Sequence, residues 1–419
     1  MVDEELVEVE VEDENLAAAP SVNEVKEILT SVSLEKTEKE AKRPGRKKKD
    51  IPTEGEVQQM SEKEVVDGLD SATKELYLEF SSFLEKKSDI TPDKGIKDTI
   101  STGIDLLDAI MGGGFAIGTL GVVTGQPGSG KSMIASQSLG AAQRKYQGNI
   151  LTAYLDSEES TTTVRLANLG VRNPTLTPYN DITVEKVFRF LEGVCLFKEQ
   201  RKIIDIPSMI VWDSVANTLS QKEREIEDIK EVIGYKARVL SILIPKYVAK
   251  LAIFNISLVA VNQLRDVINI GLFPAPKELK FMSTGKDMPG GTTLKFNAFH
   301  LLEMNIKGVT KEEQYGFSGI IVRTKCVKNK LFAPNIEIEL IGDFVTGFSN
   351  FWTNYKFLVD NKRLESGAWN YLIDLPEKKF RTKDAVELYE SDEKFRDGFD
   401  KASQETINTE IVEKHKSGL

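Results

Sequence analysis

Short apolar runs alternate with longer stretches of helical periodicity between residues 118 and 345. The first four runs are continuously apolar, which is the pattern of strands buried on both faces of a sheet. The seven runs are GTLGVVTG (118–125), ILTAYLD (150–156), SMIVWD (208–213), ISLVAVNQ (256–263), HLLEMNIK (300–307), GIIVRTKCV (319–327) and NIEIELI (335–341). The pattern predicts an α/β core whose central sheet is mostly parallel and flanked by helices, with the later strands extending it in a mixed fashion.

An amphipathic helix is predicted ahead of this core, over residues 71–87. Its apolar side chains recur at helical spacing, and Ser71 is a candidate N-cap. These apolar residues are Leu76, Tyr77, Phe80, Phe83 and Leu84. The helix either packs on the core of its own chain or docks on a neighbouring subunit, and periodicity does not separate these alternatives.

After residue 345 the chain becomes richer in charged and aromatic residues. The aromatic side chains predicted to form a small separate core are Trp352, Tyr355, Phe357, Trp369 and Tyr371. The predicted domains are an extension over 1–70, a helical oligomerisation segment over 71–98, the α/β core over 99–345 and a small α+β domain with a tail over 346–419.

The net charge of −10 over 419 residues is concentrated at the start of the chain. Residues 1–40 contain thirteen acidic residues and three lysines, which accounts for the whole net charge. The basic block KRPGRKKK (42–49) follows, and such composition is typical of disorder. We interpret the basic block as a solvated linker, with a contact to nucleic acid or another anion as the alternative.

Several classes of protein are disfavoured by the composition. There is no run of about 18 apolar residues, and the first residues are acidic, so neither a membrane span nor a secretory signal is predicted. We therefore expect a soluble intracellular protein. The two cysteines, Cys195 and Cys326, lie far apart, and His300 and His415 are the only histidines, so no zinc motif can be assembled. We interpret both cysteines as core residues.

A glycine-rich loop, GQPGSGKS (125–132), lies between a predicted strand and a predicted helix. Its glycines let backbone amides turn inward around phosphate oxygens, its lysine reaches the terminal phosphates, and its serine can bind Mg²⁺. The loop residues are Gly125, Gln126, Pro127, Gly128, Ser129, Gly130, Lys131 and Ser132. The sequence therefore predicts a nucleotide site, although the same loop serves many classes of enzyme.

Polar side chains follow three of the predicted strands at the edge where α/β proteins gather their ligands. Asp213 ends the third strand and can support the metal ion, and Glu158 can orient a water for attack on the γ-phosphate, with Glu159 as its competitor. Asn262 and Gln263 end the fourth strand, where an amide can sense whether the γ-phosphate is present.

The 26 residues between Gln263 and Gly290 form a long loop for a compact core. The loop combines cationic side chains with apolar ones, which suits a phosphate backbone tracked by lysines and bases separated by inserted side chains. Its cationic residues are Arg265, Lys277, Lys280 and Lys286, and its apolar ones include Ile268, Leu272 and Phe273. The length indicates that the loop is either functional or disordered, and its composition favours polynucleotide binding if it is functional.

Taken in order, a set of segments resembles the RecA family of homologous-recombination strand-exchange proteins. The segments are STGIDLLDAIMGGG (101–114), GQPGSGKS (125–132), LDSEES (155–160), IVWDSVANTL (210–219), VNQLRD (261–266), GGTTLKFNA (290–298) and VKNKLFAP (327–334). The form LDSE and the later EKFRDGFDKA (393–402) look most similar to the phage recombinases of the UvsX type. The resemblance covers residues 71–345 well and the C-terminal part more weakly.

This resemblance implies a RecA-like P-loop NTPase core with a nucleotide site between subunits. It implies that Lys131 and Ser132 bind phosphate and Mg²⁺, that Asp213 supports the metal, that Glu158 is the catalytic glutamate and that Gln263 senses the γ-phosphate. Further implied roles are trans contact with the neighbour's nucleotide for Lys328 and Lys330, an interface contact for Phe296, and DNA binding for Arg238, Arg265, Ile268, Lys280, Lys286, Gly290 and Gly291.

One position departs from the family pattern. Where the family commonly places an aromatic ring on the adenine, this chain has Arg165. A guanidinium plane can also stack, so we expect Arg165 to contact the base.

The activity implied by the resemblance is that of a DNA-dependent ATPase. ATP and Mg²⁺ would be bound, and a helical filament on single-stranded DNA would pair with homologous duplex DNA and exchange strands. Single-strand-binding and loader proteins would be partners, membranes would not, and the place of action would be the cytoplasm, that of the host if the gene belongs to a phage. Two alternatives are a hexameric DNA helicase on the same core and a mediator that binds nucleotide without hydrolysing it.

Overall fold

The computed structural model describes residues 95–158, 161–172, 182–225, 234–266, 282 and 286–416. Several predictions fall outside these residues and stay predictions. They concern the extension over 1–70, the helix over 71–87, and Glu159, Ile268, Leu272, Phe273, Lys277 and Lys280.

The described chain begins with a small antiparallel ladder that leads into the main sheet. Strand β1 (Thr99–Ile100) pairs with β2 (Phe115–Ala116), and helix α1 (Asp105–Met111) lies between them. Four buried side chains of α1 face the core, and the helix ends at Gly112 in the left-handed region (φ 81°).

An eight-stranded sheet forms the centre of the described structure, in the order β12-β11-β10-β9-β3-β6-β5-β4. Its strands are β3 (Leu120–Gly125), β4 (Leu151–Asp156), β5 (Ser208–Asp213), β6 (Ile256–Val261), β9 (His300–Val309), β10 (Ile320–Lys328), β11 (Ile336–Asp343) and β12 (Gly347–Phe348). The five strands from β9 to β4 in this order are parallel, and β10, β11 and β12 are antiparallel. The mostly parallel sheet with mixed later strands is confirmed.

Burial explains why the first strands are continuously apolar. Every residue of β3, β5 and β6 is buried, because helices cover both faces of this part of the sheet. The helices of this region are α2 (Lys131–Lys145), α3 (Thr163–Asn168), α4 (Val184–Arg201), α5 (Gln221–Glu225), α6 (Tyr235–Ile253), α7 (Thr293–Asn297) and α8 (Glu312–Tyr315). Helix α4 begins at an N-cap, Thr183, whose hydroxyl accepts a hydrogen bond from the amide of Lys186.

The carboxyl ends of the central strands meet at one edge of the sheet. Asp156 at the end of β4 is paired in register with Asp213 at the end of β5, and Asp213 is paired with Val261 at the end of β6. The loops that follow these strands therefore leave the sheet side by side, next to the glycine-rich loop after β3.

A second hydrophobic cluster lies in the C-terminal part of the chain. Its elements are α9 (Asn350–Asp360), β13 (Leu364–Glu365), β14 (Asn370–Leu372), β15 (Leu375–Phe380), α10 (Ala385–Ser391) and α11 (Glu393–Ile407), followed by a π-helical turn (Asn408–Glu413) and α12 (Lys414–Lys416). The rings of Phe351 and Phe399 stack at its centre, with centroids 4.7 Å apart. Ile407 and Ile411 belong instead to the main core, so the end of the chain returns to the central domain.

The predicted composition of this second cluster is partly wrong. Trp352 and Tyr355 belong to it, but Phe357 packs against the main core. Trp369 is 52% exposed, with the Arg381 guanidinium 5.3 Å from its ring centroid. Trp369 precedes β14 rather than lying in it, so the sheet does not carry its ring into the core.

Two predictions drawn from composition can be compared with the described residues. Cys195 and Cys326 are both buried, which confirms that they are core residues. In the part of the chain that the structure describes, no helix is long and apolar enough to cross a membrane.

Candidate nucleotide site

The glycine-rich loop joins β3 to α2 with backbone conformations that require glycine. Gly128 and Gly130 lie in the left-handed region, at φ 74° and 80°, and Gly130 is the N-cap of α2. A Cβ atom on Gly130 would lie 2.6 Å from Cζ of Phe348, and one on Gly125 would lie 2.0 Å from the carbonyl oxygen of Met304. The loop is thus a close-packed cradle at the start of a 15-residue helix, whose N-terminal amides and dipole favour an anion.

Lys131 is the first residue of α2 and lies under the loop. Its side chain is 7% exposed, and Nζ donates a hydrogen bond of 2.6 Å to the carbonyl oxygen of Gln126. Ser129 donates a hydrogen bond of 2.8 Å to the same oxygen. Burial lowers the pKa of the Lys131 ammonium, while the carboxylates of Asp213 and Glu158 oppose that shift. Gln126 and Pro127 are exposed at the tip of the loop.

Asp213 ends β5 and faces the first turn of α2. Its carboxylate accepts hydrogen bonds from the hydroxyl of Ser132 and, over 2.5 Å, from the phenol of Tyr154. Burial raises the pKa of Asp213 to about 6, and the Ser132 and Tyr154 hydrogen bonds oppose the rise. Burial and the nearby Asp213 charge raise the pKa of Tyr154 well above its usual value.

These residues fit a nucleotide with a divalent cation. The hydroxyl of Ser132 and the carboxylate of Asp213 form an oxygen donor pair, which suits Mg²⁺. The carboxylates of Asp213 and Glu158 both oppose the lowering of the Lys131 pKa by burial, so the ammonium interacts electrostatically with each of them. Glycine conformation, helix N-terminus and oxygen donors therefore meet at one place.

Glu158 follows β4 at the same edge of the sheet. Its amide donates 2.9 Å to Oδ1 of Asp156, and the amide of Thr161 donates 2.8 Å to Oδ2 of that carboxylate. The Glu158 side chain accepts two hydrogen bonds on Oε1, from the Ser214 hydroxyl and from the Asn217 amide, each of 2.7 Å. The turn that Asp156 stabilises thus presents the glutamate beside the phosphate loop.

The predicted sensor lies between two residues that connect β6 to the phosphate loop. Gln263 is half-buried, and its backbone amide donates a 2.9 Å hydrogen bond to the side-chain oxygen of Asn262. The amide of Leu264 donates 3.0 Å to the carbonyl oxygen of Gly125. The start of the 264–289 loop is therefore attached directly to the first glycine of the phosphate loop.

The predicted polynucleotide contacts gather on the side of this loop. Exposed Arg265 lies in β7 (Arg265–Asp266), which pairs in antiparallel fashion with β8 (Lys286–Asp287), so Lys286 lies across from Asp266. Gly290 and Gly291 follow in the left-handed region, and their α carbons face Leu240 and Ala237 of helix α6. Arg238 is exposed in the first turn of that helix.

The two lysines of VKNK lie beside the segment from α7 to β9. Nζ of Lys328 donates hydrogen bonds to the carbonyl oxygens of Lys295 (3.1 Å) and Phe296 (2.6 Å) at the end of α7. Nζ of Lys330 lies 5.7 Å from the ring centroid of Phe299. Strand β10 ends at Lys328, so Lys330 lies two residues beyond the strand. Phe296 is 52% exposed.

Arg165 is a predicted site residue that lies outside this group of contacts. It is exposed in the first turn of α3, and its backbone amide donates a 3.2 Å hydrogen bond to the hydroxyl of the N-cap residue, Thr162. No described contact brings its guanidinium to the phosphate loop.

Sequence reasoning missed several residues that shape the site. Tyr154 lies within an apolar strand, and its hydroxyl is a polar group that needs a buried partner. That need was the signal available in the sequence. Asn217 and Phe348 have no local signature, because each acquires its role from a partner more than fifty residues away. Gln137 clamps Phe348 behind Gly130: its side-chain amide donates to the carbonyl oxygen and accepts from the amide of Phe348, both over 2.8 Å.

Comparison with known proteins agrees with this geometry. The family model described as the RecA N-terminal domain matches residues 86–349. Two curated relatives, each named Protein RecA and from two strains of Thermus thermophilus, are 29% identical over 273 residues, which is 65% of this chain and 74% of theirs. Because the family model covers more than half of the chain, including the phosphate loop and the sheet edge described above, the chain belongs to the RecA family of recombinases.

Proposed function

We propose that the protein is an ATP-dependent recombinase that forms a helical filament on single-stranded DNA and promotes homologous pairing and strand exchange. The observation that carries this proposal is the attachment of the 264–289 loop to the phosphate loop through the Leu264 amide and the Gly125 carbonyl. A change at the phosphates has a path of one hydrogen bond to the candidate DNA loop. Such a link is what allosteric use of nucleotide hydrolysis requires.

In the proposed mechanism the phosphates of ATP bind at the loop, with Lys131 as their cation. Ser132 and Asp213 would hold Mg²⁺, which supplies charge neutralisation at the phosphate oxygens when it is bound. Glu158 orients the attacking water, and Gln263 senses the γ-phosphate. Lys328 and Lys330 act on the nucleotide of the adjacent subunit as trans charge stabilisers.

The proposed DNA contact is independent of base sequence. Arg238, Arg265 and Lys286 supply positive charge to the DNA phosphates. Ile268 and Lys280 belong to the 264–289 loop and contact the DNA from it. Gly290 and Gly291 allow close approach of the backbone to the DNA. Binding to single strands should weaken with salt at a slope of roughly −0.7 per phosphate neutralised. Single-strand-binding and loader proteins are further proposed partners, and the segment over 71–98 is the proposed polymerisation arm.

The test is ATP hydrolysis with and without single-stranded DNA, in the wild type and in the variants Lys131→Ala and Glu158→Gln. We expect strong stimulation by single strands, loss of nucleotide binding in the first variant, and retained binding without turnover in the second. Strand exchange between a circular single strand and a linear duplex then tests the recombinase activity. Hydrolysis that does not respond to DNA would overturn the proposal, and duplex unwinding without strand exchange would favour the helicase.

A further inference from the structure

The carboxylate of Glu158 is held on one oxygen by the loop that follows β5. Oε1 accepts 2.7 Å hydrogen bonds from the hydroxyl of Ser214 and from the side-chain amide of Asn217. In the described part of the chain no hydrogen bond to Oε2 accompanies them. Glu158 and Asn217 are both exposed, so these charge-assisted hydrogen bonds, rather than core packing, set the direction of the carboxylate.

The loop that carries Asn217 is gathered around a single ammonium group. Nζ of Lys236 donates to the carbonyl oxygens of Val215 (3.3 Å), Ala216 (2.9 Å) and Thr218 (3.1 Å). These three oxygens flank Asn217 in sequence, so the lysine fixes the backbone on both sides of it. The Thr218 hydroxyl adds a 2.7 Å hydrogen bond to the carbonyl oxygen of Ser214, which closes the turn.

Lys236 connects this turn to the surface that bears Arg238. Both residues lie in the first turn of α6, two positions apart, and the amide of Lys236 donates 3.3 Å to Oε1 of Glu223. A displacement of this end of α6 would move the ammonium and, with it, the three carbonyls that it holds. The contacts thus run from the start of α6 through the 215–218 turn to Glu158.

We propose that Asn217 is a positioning residue for Glu158, and that Lys236 sets the position of Asn217 so that polynucleotide bound at the start of α6 controls hydrolysis through this turn. The inference rests on the proposed function of Glu158 as the residue that orients the attacking water. It is separate from the path through Gln263, because it uses the loop after β5 rather than the loop after β6. Oε1 serves as the anchored oxygen and Oε2 as the oxygen that contacts the water.

The first test compares Asn217→Ala with Asn217→Asp. The aspartate keeps the shape of the side chain but removes the donor and places a negative charge against Glu158, whereas the alanine removes the whole carboxamide and adds no charge. We expect kcat for ATP hydrolysis to fall about tenfold in the alanine variant and further in the aspartate variant, with KM within about twofold of the wild type, as for loss of an interaction made in the transition state. A packing role predicts the opposite order, because the aspartate is isosteric.

The second test concerns the lysine. Lys236→Met removes the ammonium while keeping the length of the side chain, and we expect a lower ratio of hydrolysis with single-stranded DNA to hydrolysis without it. Lys250→Met is the matched control on the same helix, since Lys250 pairs with Glu192 away from the turn and should leave this ratio unchanged. Thermal unfolding of each variant identifies any loss of folded protein, and Asn217 is exposed, so its variants should unfold at the wild-type temperature.

The outcomes separate this inference from the proposed function. If Glu158→Gln abolishes hydrolysis while both Asn217 variants keep the wild-type kcat, the positioning role is wrong and the proposed function stands. If Glu158→Gln hydrolyses ATP like the wild type, the assignment of Glu158 and the role of Asn217 are both wrong. Adding Asn217→Ala to the Glu158→Gln variant should leave its residual rate of ATP hydrolysis unchanged. An additional tenfold loss of that rate would overturn the inference.

Discussion

The side-chain amide of Asn262 donates a hydrogen bond to the carbonyl oxygen of Pro289 across 3.0 Å. This contact joins the two ends of the 264–289 loop, because Asn262 lies two residues before its start and Pro289 is its last residue. Asn262 is fully buried, and its backbone amide donates a 2.8 Å hydrogen bond to the carbonyl oxygen of Val123 in β3. The base of the candidate DNA loop is therefore tied to the strand that leads into the phosphate loop.

Replacement of Asn262 by alanine should weaken the stimulation of ATP hydrolysis by single-stranded DNA. The substitution leaves the Pro289 carbonyl without its donor, and we expect the free energy of unfolding to fall by about 1 to 3 kcal/mol. Stimulation of ATP hydrolysis by single strands should decrease severalfold, while hydrolysis without DNA changes little. Urea unfolding and steady-state hydrolysis measure the two effects.

Asn361→Ala is the control for this substitution. Asn361 also donates from its side-chain amide to a backbone carbonyl, that of Phe357 at 2.8 Å, but it lies at the end of α9. It should lower stability without changing the stimulation ratio. An equal change of that ratio in both variants would contradict the role given to Asn262.

Gly130 should tolerate alanine less well than a glycine of the same conformation elsewhere. Gly130 and Gly148 have φ of 80° and 83°, but a Cβ on Gly130 would lie 2.6 Å from Phe348, whereas no described atom lies within 4 Å of one on Gly148. Gly148→Ala should cost about 1 to 2 kcal/mol of folding free energy from backbone strain alone. Gly130→Ala should cost about 1 to 3 kcal/mol more from overpacking and should weaken nucleotide binding.

A smaller residue at position 348 isolates the steric part of this effect. In a Phe348→Leu background the additional cost of Gly130→Ala should shrink, because the ring no longer occupies the space of the new methyl group. Thermal unfolding of the four proteins of this cycle measures the coupling. Strict additivity of the two substitutions would show that Phe348 does not limit position 130.

The proposed trans role of Lys328 predicts complementation between two inactive variants. Lys131→Ala lacks the phosphate lysine and Lys328→Met lacks the trans lysine, so each alone should hydrolyse ATP poorly. In an equal random mixture about a quarter of head-to-tail interfaces would combine an intact Lys131 with an intact Lys328 from the neighbour. Hydrolysis of the mixture should rise to about that fraction of the wild-type rate.

Complementation separates the trans role from the contacts seen within one chain. Lys328 also holds the end of α7 through the carbonyls of Lys295 and Phe296, so Lys328→Met should lower stability whichever role is correct. A mixture no more active than the sum of its parts would assign Lys328 to its own subunit only. Measurement of DNA-stimulated hydrolysis against mixing ratio decides between the two.

His300 should make folding stability depend on pH in the acid range. Its imidazole is fully buried, Nε2 donates 3.0 Å to the carbonyl oxygen of Met111, and burial lowers the pKa from 6.5 to about 4. Between these values the unfolded chain binds a proton that the folded chain does not. Stability should therefore fall as the pH falls from 6.5 to 4, by about 3 kcal/mol in all from this group.

A variant without the buried imidazole of His300 isolates this contribution from others in the same range. Burial raises the pKa of Asp108 from 3.8 to about 6, so that group has the opposite sign and favours the folded state as the pH falls through 6. His300→Gln can keep a donor toward Met111 without titrating, and its stability should fall less than that of the wild type between pH 6.5 and 4. The free energy of unfolding is measured with urea at each pH. If it changes equally with pH in the wild type and in His300→Gln, His300 does not titrate as expected.

Local patterns determined the position of the nucleotide site and the strands that bear it. The phosphate loop could be located from eight consecutive residues, because glycine spacing and a following helix are properties of a short segment. The continuous apolar runs likewise identified β3, β5 and β6, since burial on both faces favours apolar residues along the whole strand. The same signal located β4, whose last four residues are buried. The ends of these strands then pointed to Glu158, Asp213 and Gln263.

What the sequence by itself could not determine is which side chains face each other across the sheet edge. Tyr154 meets Asp213, Asn217 meets Glu158, and Phe348 fills the space behind Gly130, and each pair is separated by more than fifty residues. Periodicity assigns a residue to a strand or a helix, but it carries no information on the order of strands in the sheet. Those contacts exist only once the crossovers have placed β4, β5 and β6 side by side and the antiparallel strands have brought β12 back to α2.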